Sequence, residues 1–185
     1  MKKLLLTIAV AALFMFGCQD QNSVIQPTDN TVQKQTTEKH WLAFSNNQKS
    51  SIEGTKTWSK SIKGENGGLF KGTKNLSSDI SAYVEIWVPG GAYSGYKTIK
   101  ATLNSKTLTA DFSPSPMTFN TPIYYTVEYF GVDLTGVDKN NIDFYYVAED
   151  GSLQKAKYAN IYVQDNWLCV VDAQLPHFSR YGFVN

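Results

Sequence analysis

The histidines and cysteines of this 185-residue chain are the side chains that would most readily support metal binding or nucleophilic catalysis. Only two of each are present, which excludes the metal clusters built from Cys and His ligands. A Ser-His-Asp hydrolase would need His177 beside an exposed serine and a carboxylate, and nothing like a nucleophile elbow surrounds any serine. We therefore expect no metal and no cofactor.

A run of acidic side chains between residues 133 and 143 is a candidate calcium loop. Asp138 and Asn140 have the spacing of calcium ligands, but Ile142 stands where the next ligand is required. The glycine that such a loop needs for its sharp turn is also missing. The pattern favours an acidic turn exposed to solvent.

The first residues have the pattern of a secretory signal. A short positive region ends at Lys3, and residues 4–16 are apolar except for Thr7, a run too short to span about 30 Å of hydrocarbon. It ends at Gly17-Cys18, which resembles the bacterial lipobox, where a small residue precedes the cysteine whose sulfur accepts lipid. We predict a lipoprotein signal peptide over residues 1–17 and lipidation of Cys18. An ordinary cleaved signal peptide and a retained anchor are the alternatives.

A lipidated Cys18 places the protein in the bacterial cell envelope, held to a membrane by its acyl chains. Gln19 does not resemble a signal for retention in the inner membrane, so the outer membrane is the expected location. Cys169 is then left without a partner for a disulfide, and its apolar neighbours predict a small buried strand residue.

Residues 18–54 are rich in Gln, Asn, Thr, Ser and Lys and keep no regular apolar period, which predicts a polar tether. The apolar segment His40–Phe44 interrupts it. We interpret that segment as a local hydrophobic pin within the linker, with docking onto the domain or onto a partner as the alternative.

The charge balance excludes a nucleic-acid-binding function. Without Lys2 and Lys3 the mature chain has 15 basic and 16 acidic residues, and Arg180 is its only arginine. Binding driven by counterion release requires a clustered basic face, which this composition does not supply.

Residues 55–185 alternate between apolar and polar positions in short runs, separated by turn residues about every 8–12 positions. The runs are 82–88, 98–103, 123–129, 142–146 and 161–164. No window after the signal peptide keeps a helical apolar stripe. The sequence therefore predicts an all-β domain over 55–185, an antiparallel two-sheet β-sandwich.

Several segments of this domain occur in an order that we associate with a known family. They are Gly67–Phe70, Val84–Ala92, Phe112–Pro114, Met117–Pro122, Tyr129–Leu134, Phe144–Tyr146 and His177–Tyr181. In this order they resemble the ZU-five domain, a β-sandwich found in ankyrins, netrin receptors, tight-junction scaffolds and bacterial envelope proteins. The resemblance covers roughly residues 55–185 and implies a role in interaction rather than in metabolism.

Some members of that family cut themselves between Phe and Ser of a His-Phe-Ser motif, which residues 177–179 reproduce. The resemblance implies attack of Ser179 Oγ on the Phe178 carbonyl, with His177 assisting proton transfer. In a continuous strand, His177 and Ser179 would project from the same face. The alternation continues to Phe183, however, which favours an ordinary closing strand, and we predict that the chain is not an enzyme.

Four aromatic residues fall on the faces of the predicted strands that lie opposite the aliphatic faces: Tyr83, Trp87, Tyr124 and Tyr145. Such residues can form an exposed platform for sugar rings or for a protein partner. The simpler interpretation is that tyrosine suits β-strands.

These observations predict a lipid-anchored envelope protein whose sandwich is a non-enzymatic interaction or structural module. A carbohydrate-binding module that uses the aromatic face is the first alternative, and an autoproteolytic domain is the second. The expected partners are the membrane, through Cys18, and an envelope protein or a glycan.

Overall fold

The computed structural model describes residues 39–185, so the predicted signal peptide, Cys18 and the first part of the tether lie outside the described residues. Within this range the chain forms a short helix, α1 (Asn46–Ser51), a 3-10 helix (Lys139–Asn141) and eleven strands. The strands are β1 (Lys56–Lys63), β2 (Gly68–Asn75), β3 (Ser81–Val88), β4 (Tyr96–Leu103), β5 (Thr109–Ser113), β6 (Thr118–Phe130), β7 (Asp143–Val147), β8 (Leu153–Lys155), β9 (Asn160–Val163), β10 (Trp167–His177) and β11 (Arg180–Val184). No helix of residues 39–185 is long and apolar enough to cross a bilayer.

Two antiparallel sheets enclose one core, which confirms the predicted two-sheet β-sandwich. The six-stranded sheet has the order β1-β4-β5-β11-β7-β8, and the five-stranded sheet has the order β2-β3-β6-β10-β9. Consecutive strands change sheet at six places, after β1, β3, β5, β6, β8 and β10. The consecutive strands that stay within one sheet pair directly as four hairpins, β2–β3, β4–β5, β7–β8 and β9–β10.

The period of two in the sequence determines which side chains fill the core. In β3 the side chains of Ala82, Val84, Ile86 and Val88 are fully buried, while the residues between them are more exposed. Aromatic rings join the sheets, as where Tyr125 of β6 meets Phe112 of β5 edge to face at 4.8 Å. Burial raises the pKa of the Tyr125 hydroxyl well above its ordinary value.

The segment of residues 40–54 is part of the folded domain. Leu42 is wedged between β11 and the turn before β5, where its N–H donates to the Phe183 carbonyl at 2.8 Å and its carbonyl accepts from the Leu108 N–H at 2.8 Å. The Phe44 ring is only 2% exposed and meets the Tyr129 ring edge to face at 6.1 Å. Leu42 and Phe44 therefore fill space in the core that the strands alone do not fill.

Helix α1 continues this attachment to the sandwich. The Gln48 side chain donates to the Gly131 carbonyl at 2.6 Å and accepts from the Asp133 N–H at 3.0 Å. The segment His40–Phe44 thus docks onto the domain instead of forming a pin inside a linker. The folded part of the chain begins before the boundary that we predicted at residue 55.

Candidate functional site

The outer face of the five-stranded sheet is the side turned away from the core. Among residues 39–185, five large hydrophobic side chains are exposed, and this face carries four of them: Leu69, Trp87, Phe130 and Tyr162. The fifth, Tyr96, lies on β4 of the other sheet. Exposed apolar side chains on one face of a domain make that face the candidate interaction surface.

Four of the side chains on this outer face are aligned across four neighbouring strands, and we call them the Trp87 row. Leu69 of β2 lies opposite Trp87 of β3, Trp87 opposite Tyr124 of β6, and Tyr124 opposite Gln174 of β10. The rings of Trp87 and Tyr124 stack with centroids 4.9 Å apart and an angle of 30° between their planes. Trp87 remains 48% exposed, so the stack is open to solvent.

Polar side chains border the Trp87 row along the strands. Glu85 accepts a hydrogen bond from the Tyr83 hydroxyl at 2.5 Å, and its carboxylate lies 3.5 Å from the Lys71 ammonium. Burial, together with the hydrogen bond to the Glu85 carboxylate, raises the pKa of Tyr83 to about 12. Tyr83 is therefore a neutral donor at physiological pH, and Glu85 is a charged acceptor beside the aromatic pair.

A second aromatic group, which we call the Trp167 cluster, lies at the other end of the same outer face. The Trp167 ring is nearly parallel to the rings of Phe130 and Tyr162, with centroids 6.4 and 5.6 Å away. Its indole N–H donates to the Glu128 carboxylate at 3.3 Å. Phe130 is six positions after Tyr124 on β6, so the two groups are roughly 20 Å apart.

The structure brings together three of the four predicted face residues. Tyr83 and Trp87 share one face of β3, and Tyr124 is the neighbour of Trp87 on β6. Tyr145 belongs instead to β7 of the six-stranded sheet, where it is only 7% exposed beneath the Lys39 ammonium, which lies 4.0 Å from the ring centroid. Tyr145 lines a separate cleft of about 340 Å³ beside Asn185 and is not part of the outer face.

A cleft of about 220 Å³ adjoins the Trp87 row at the side of the sandwich. Its lining residues are Pro122, Tyr146, Lys155, Lys157, Gln174 and Pro176. Gln174 belongs both to the row and to the cleft, so the two are continuous. The Gln174 N–H donates to the Lys157 carbonyl at 2.7 Å, which fixes the backbone of Lys157 beside the end of the row.

The His177-Phe178-Ser179 motif lies at the turn between the sheets rather than within a strand. β10 ends at His177 and β11 begins at Arg180, so the expectation that His177 and Ser179 share a strand face is wrong. The Ser179 hydroxyl has its hydrogen bond with the Arg180 carbonyl, at 3.4 Å. The His177 ring packs instead against the Tyr146 ring, with centroids 5.1 Å apart.

The backbone carbonyl and N–H of Phe178 are both held by ordinary hydrogen bonds. The Phe178 carbonyl accepts from the Ser115 hydroxyl at 2.9 Å, and the Phe178 N–H donates to the Met117 carbonyl at 2.8 Å. The Phe178 ring is 2% exposed and meets the Phe119 ring at 4.7 Å. Every group of Phe178 thus has a structural partner.

We predict that the chain stays intact between Phe178 and Ser179, because the Ser179 hydroxyl and the His177 ring point to different partners. Mass spectrometry under denaturing conditions, after long incubation of the purified protein, is expected to show one species. Denaturation is essential, since a cut segment would remain paired through β11. A fragment that ends at Phe178 and disappears in Ser179→Ala would contradict this geometry.

The acidic turn uses its carboxylates to cap local backbone. Asp138 accepts from the Asn140 N–H at 3.1 Å at the start of the 3-10 helix, and Asp133 accepts from the Thr135 N–H at 3.0 Å. Asp143 pairs with the Lys155 ammonium at 2.5 Å. The three carboxylates therefore have separate partners.

Cys169 is buried, as predicted, with 2% of its surface exposed. Its register opposite Glu128 places it on the outward side of β10, under the neighbouring side chains. Burial raises the pKa of the Cys169 thiol to about 12, and the nearby Glu128 carboxylate acts in the same direction. The thiol is therefore protonated at neutral pH and is a poor nucleophile.

Comparison with protein-family models, with curated proteins and with solved structures gives no match to this chain. The candidate site therefore depends on the geometry of the outer face itself.

Sequence reasoning missed the residues that extend this site, namely Leu69, Gln174, Lys157 and the Trp167 cluster. Phe130 and Trp167 occupy outward-facing positions in the alternation of their strands, so the sequence alone could have identified them. Gln174 and Lys157 are joined to Trp87 only by contacts between segments far apart in the chain, and Leu69 only through the register of the β2–β3 hairpin, and one sequence supplies neither.

Proposed function

We propose that this protein is a lipid-anchored binding module of the bacterial envelope, whose sandwich is not an enzyme and whose ligand is a glycan bound along the Trp87 row. The observation that carries the proposal is the solvent-exposed stack of Trp87 on Tyr124, with a charged acceptor at its border. This choice favours the carbohydrate-binding alternative within the broader class of interaction modules.

The chemistry of the row suits a sugar. A pyranose ring has an apolar C–H face and a rim of hydroxyl groups, so it needs aromatic surface and hydrogen-bonding groups side by side. Trp87 and Tyr124 offer the aromatic surface, and Glu85 and Gln174 offer acceptors and a donor at its borders. A protein partner would instead favour a larger apolar centre enclosed by a polar rim.

The backbone of the site is also held in place by the sandwich before any ligand binds. Its side chains stand on β2, β3, β6 and β10; the inward sides of β3, β6 and β10 are buried in the core, and Phe70 of β2 packs against it. A preformed surface loses little conformational entropy on binding, which matters for a flexible polysaccharide ligand.

The position of the N-terminal segment supports display from a membrane. Gln48 contacts the backbone just after Phe130, at one end of β6, whereas Tyr124 lies at the middle of that strand. The first described residue, Lys39, lies over the Tyr145 ring of the other sheet, and Gln48 meets the five-stranded sheet roughly 20 Å from the Trp87 row. A chain anchored through Cys18 would leave the row accessible to a ligand outside the membrane.

The proposal is tested by a glycan array followed by titration of the best glycan, using soluble mature chain (residues 18–185) with Cys18→Ser. We expect Trp87→Ala to weaken binding at least tenfold, about 1.4 kcal/mol. Because Trp87 is half exposed, its removal is expected to cost only about 1 kcal/mol of stability, mainly through the lost stack with Tyr124.

Tyr96→Ala is the matched control, because Tyr96 is 73% exposed and lies on the other sheet. The Tyr96→Ala variant is expected to bind the glycan with the affinity of the parent. Equal losses in the two variants, or no binding to any glycan, would refute the proposal. Capture of an envelope protein through Trp87 without glycan binding would favour the protein-binding alternative.

A further inference from the structure

We infer that the glycan carries an isolated carboxylate, as in a single uronic acid between neutral sugars, and that Lys157 binds this carboxylate in the cleft beside Gln174. The inference rests on the proposed function and names the chemical class of its ligand. It is argued from the continuity of the Trp87 row with the cleft and from the charges at each position.

The path from the aromatic stack to Lys157 is direct. Trp87, Tyr124 and Gln174 are successive cross-strand neighbours, and the Gln174 N–H is bonded to the Lys157 carbonyl at 2.7 Å. Each of these three steps between neighbouring segments of the sheet is about 4.8 Å, so the Lys157 backbone lies roughly 14 Å from that of Trp87. A short oligosaccharide stacked on Trp87 and Tyr124 would therefore reach the cleft.

The cleft has one positive charge available to a ligand. Of its two lysines, Lys155 is paired with Asp143 at 2.5 Å, and Asp143 also accepts from the Tyr158 hydroxyl at 2.5 Å. Lys157 is exposed and forms no ion pair among residues 39–185. The remaining lining is neutral, from two prolines, Tyr146 and Gln174. A single carboxylate complements this arrangement.

Acidic side chains near the row restrict where the ligand carries charge. Asp172 is exposed two positions before Gln174, and Glu85 lies two positions before Trp87 on β3. Glu85 is paired with the Lys71 ammonium at 3.5 Å, whereas Asp172 forms no ion pair among residues 39–185, so a carboxylate on every unit of a polysaccharide would be repelled mainly at Asp172. Neutral sugars offer hydroxyl donors to the same carboxylates. The charges thus select a glycan that is neutral over the aromatic stack and acidic at the Lys157 end.

The test uses a set of oligosaccharides in which one uronic acid is joined to two or three neutral hexoses, and the same set after reduction of the carboxyl group to an alcohol. Binding to soluble mature chain (residues 18–185) with Cys18→Ser is measured by titration. We expect reduction to weaken binding about fivefold, near 1 kcal/mol for an exposed ion pair. Added salt is expected to reduce the difference in affinity between the acidic and the reduced oligosaccharides.

Lys157→Gln is expected to weaken binding of the acidic set about fivefold and to leave binding of the reduced set unchanged. Lys100→Gln is the matched control, because it removes the same charge from an exposed lysine of the other sheet and is expected to change neither. Lys157→Gln behaving like the parent on acidic glycans would overturn the inference, as would a tight polyuronate complex.

The two proposals fail in different ways. If both glycan sets bind equally and Trp87→Ala weakens both, the proposed function stands and the Lys157 inference fails. If neither set binds, both fail.

Discussion

Replacement of Phe44 by alanine is expected to lower the free energy of unfolding by about 3–5 kcal/mol. The Phe44 ring is 2% exposed and packs edge to face on Tyr129 in the core of the sandwich. Truncation would leave a cavity at the point where the N-terminal segment joins the strands. Urea denaturation followed by tryptophan fluorescence measures the change.

Asn47→Ala is the control for this prediction, because Asn47 is exposed on α1 and its side chain is not part of the core. Its stability is expected to stay within about 0.5 kcal/mol of the parent. The same packing predicts that a chain beginning at residue 55 loses most of its stability. A chain of residues 55–185 that unfolds at the same urea concentration as the mature protein would contradict this account of the segment.

Cys18→Ser in the full precursor is expected to abolish membrane association almost completely. Only a thiolate sulfur accepts the diacylglyceryl group, and stable anchoring requires more than one buried acyl chain. Radiolabelled palmitate, followed by separation of membrane and soluble fractions, tests both the lipid and its consequence. The variant is expected to carry no label and to accumulate as unprocessed precursor or as soluble protein.

Cys169→Ala is the appropriate control, since the chain has only one other cysteine and that thiol is buried. It is expected to keep the label and the membrane location. Membrane association of Cys18→Ser at the level of the parent would mean that residues 1–17 are not a lipoprotein signal peptide.

The sheet architecture was predictable because a half-buried strand leaves a period of two in the sequence. Alternation in 82–88 and 123–129 identified β3 and β6 and the core face of each. The order of strands within each sheet was not predictable, because pairing joins segments that are far apart in the chain. β11, for example, lies between β5 and β7.

The candidate site was predictable only in part, for the same reason. Parity correctly placed Trp87 and Tyr124 on outward faces, but it cannot show which sheet a face belongs to, and Tyr145 was therefore grouped with them wrongly. Lys157 became a candidate only through its hydrogen bond with Gln174.

The local sequence also gave no indication of two features, the docking of the segment His40–Phe44 and the turn at Phe178 and Ser179. The apolar residues of His40–Phe44 looked like part of a linker, because their partners, such as Phe183 and Leu108, are more than sixty residues away. The alternation through residues 177–183 hid the turn at Phe178 and Ser179, since both strands that flank the turn have the same period.

The central claim is that the outer face of the five-stranded sheet binds the ligand, and a chemical-shift titration tests it most directly. Amide and indole signals of soluble mature chain (residues 18–185) with Cys18→Ser would be followed as the best array glycan is added. The account predicts shifts confined to Leu69, Trp87, Tyr124, Gln174 and Lys157 and their neighbours. Shifts confined to the six-stranded sheet, or to the Tyr145 cleft, would contradict it.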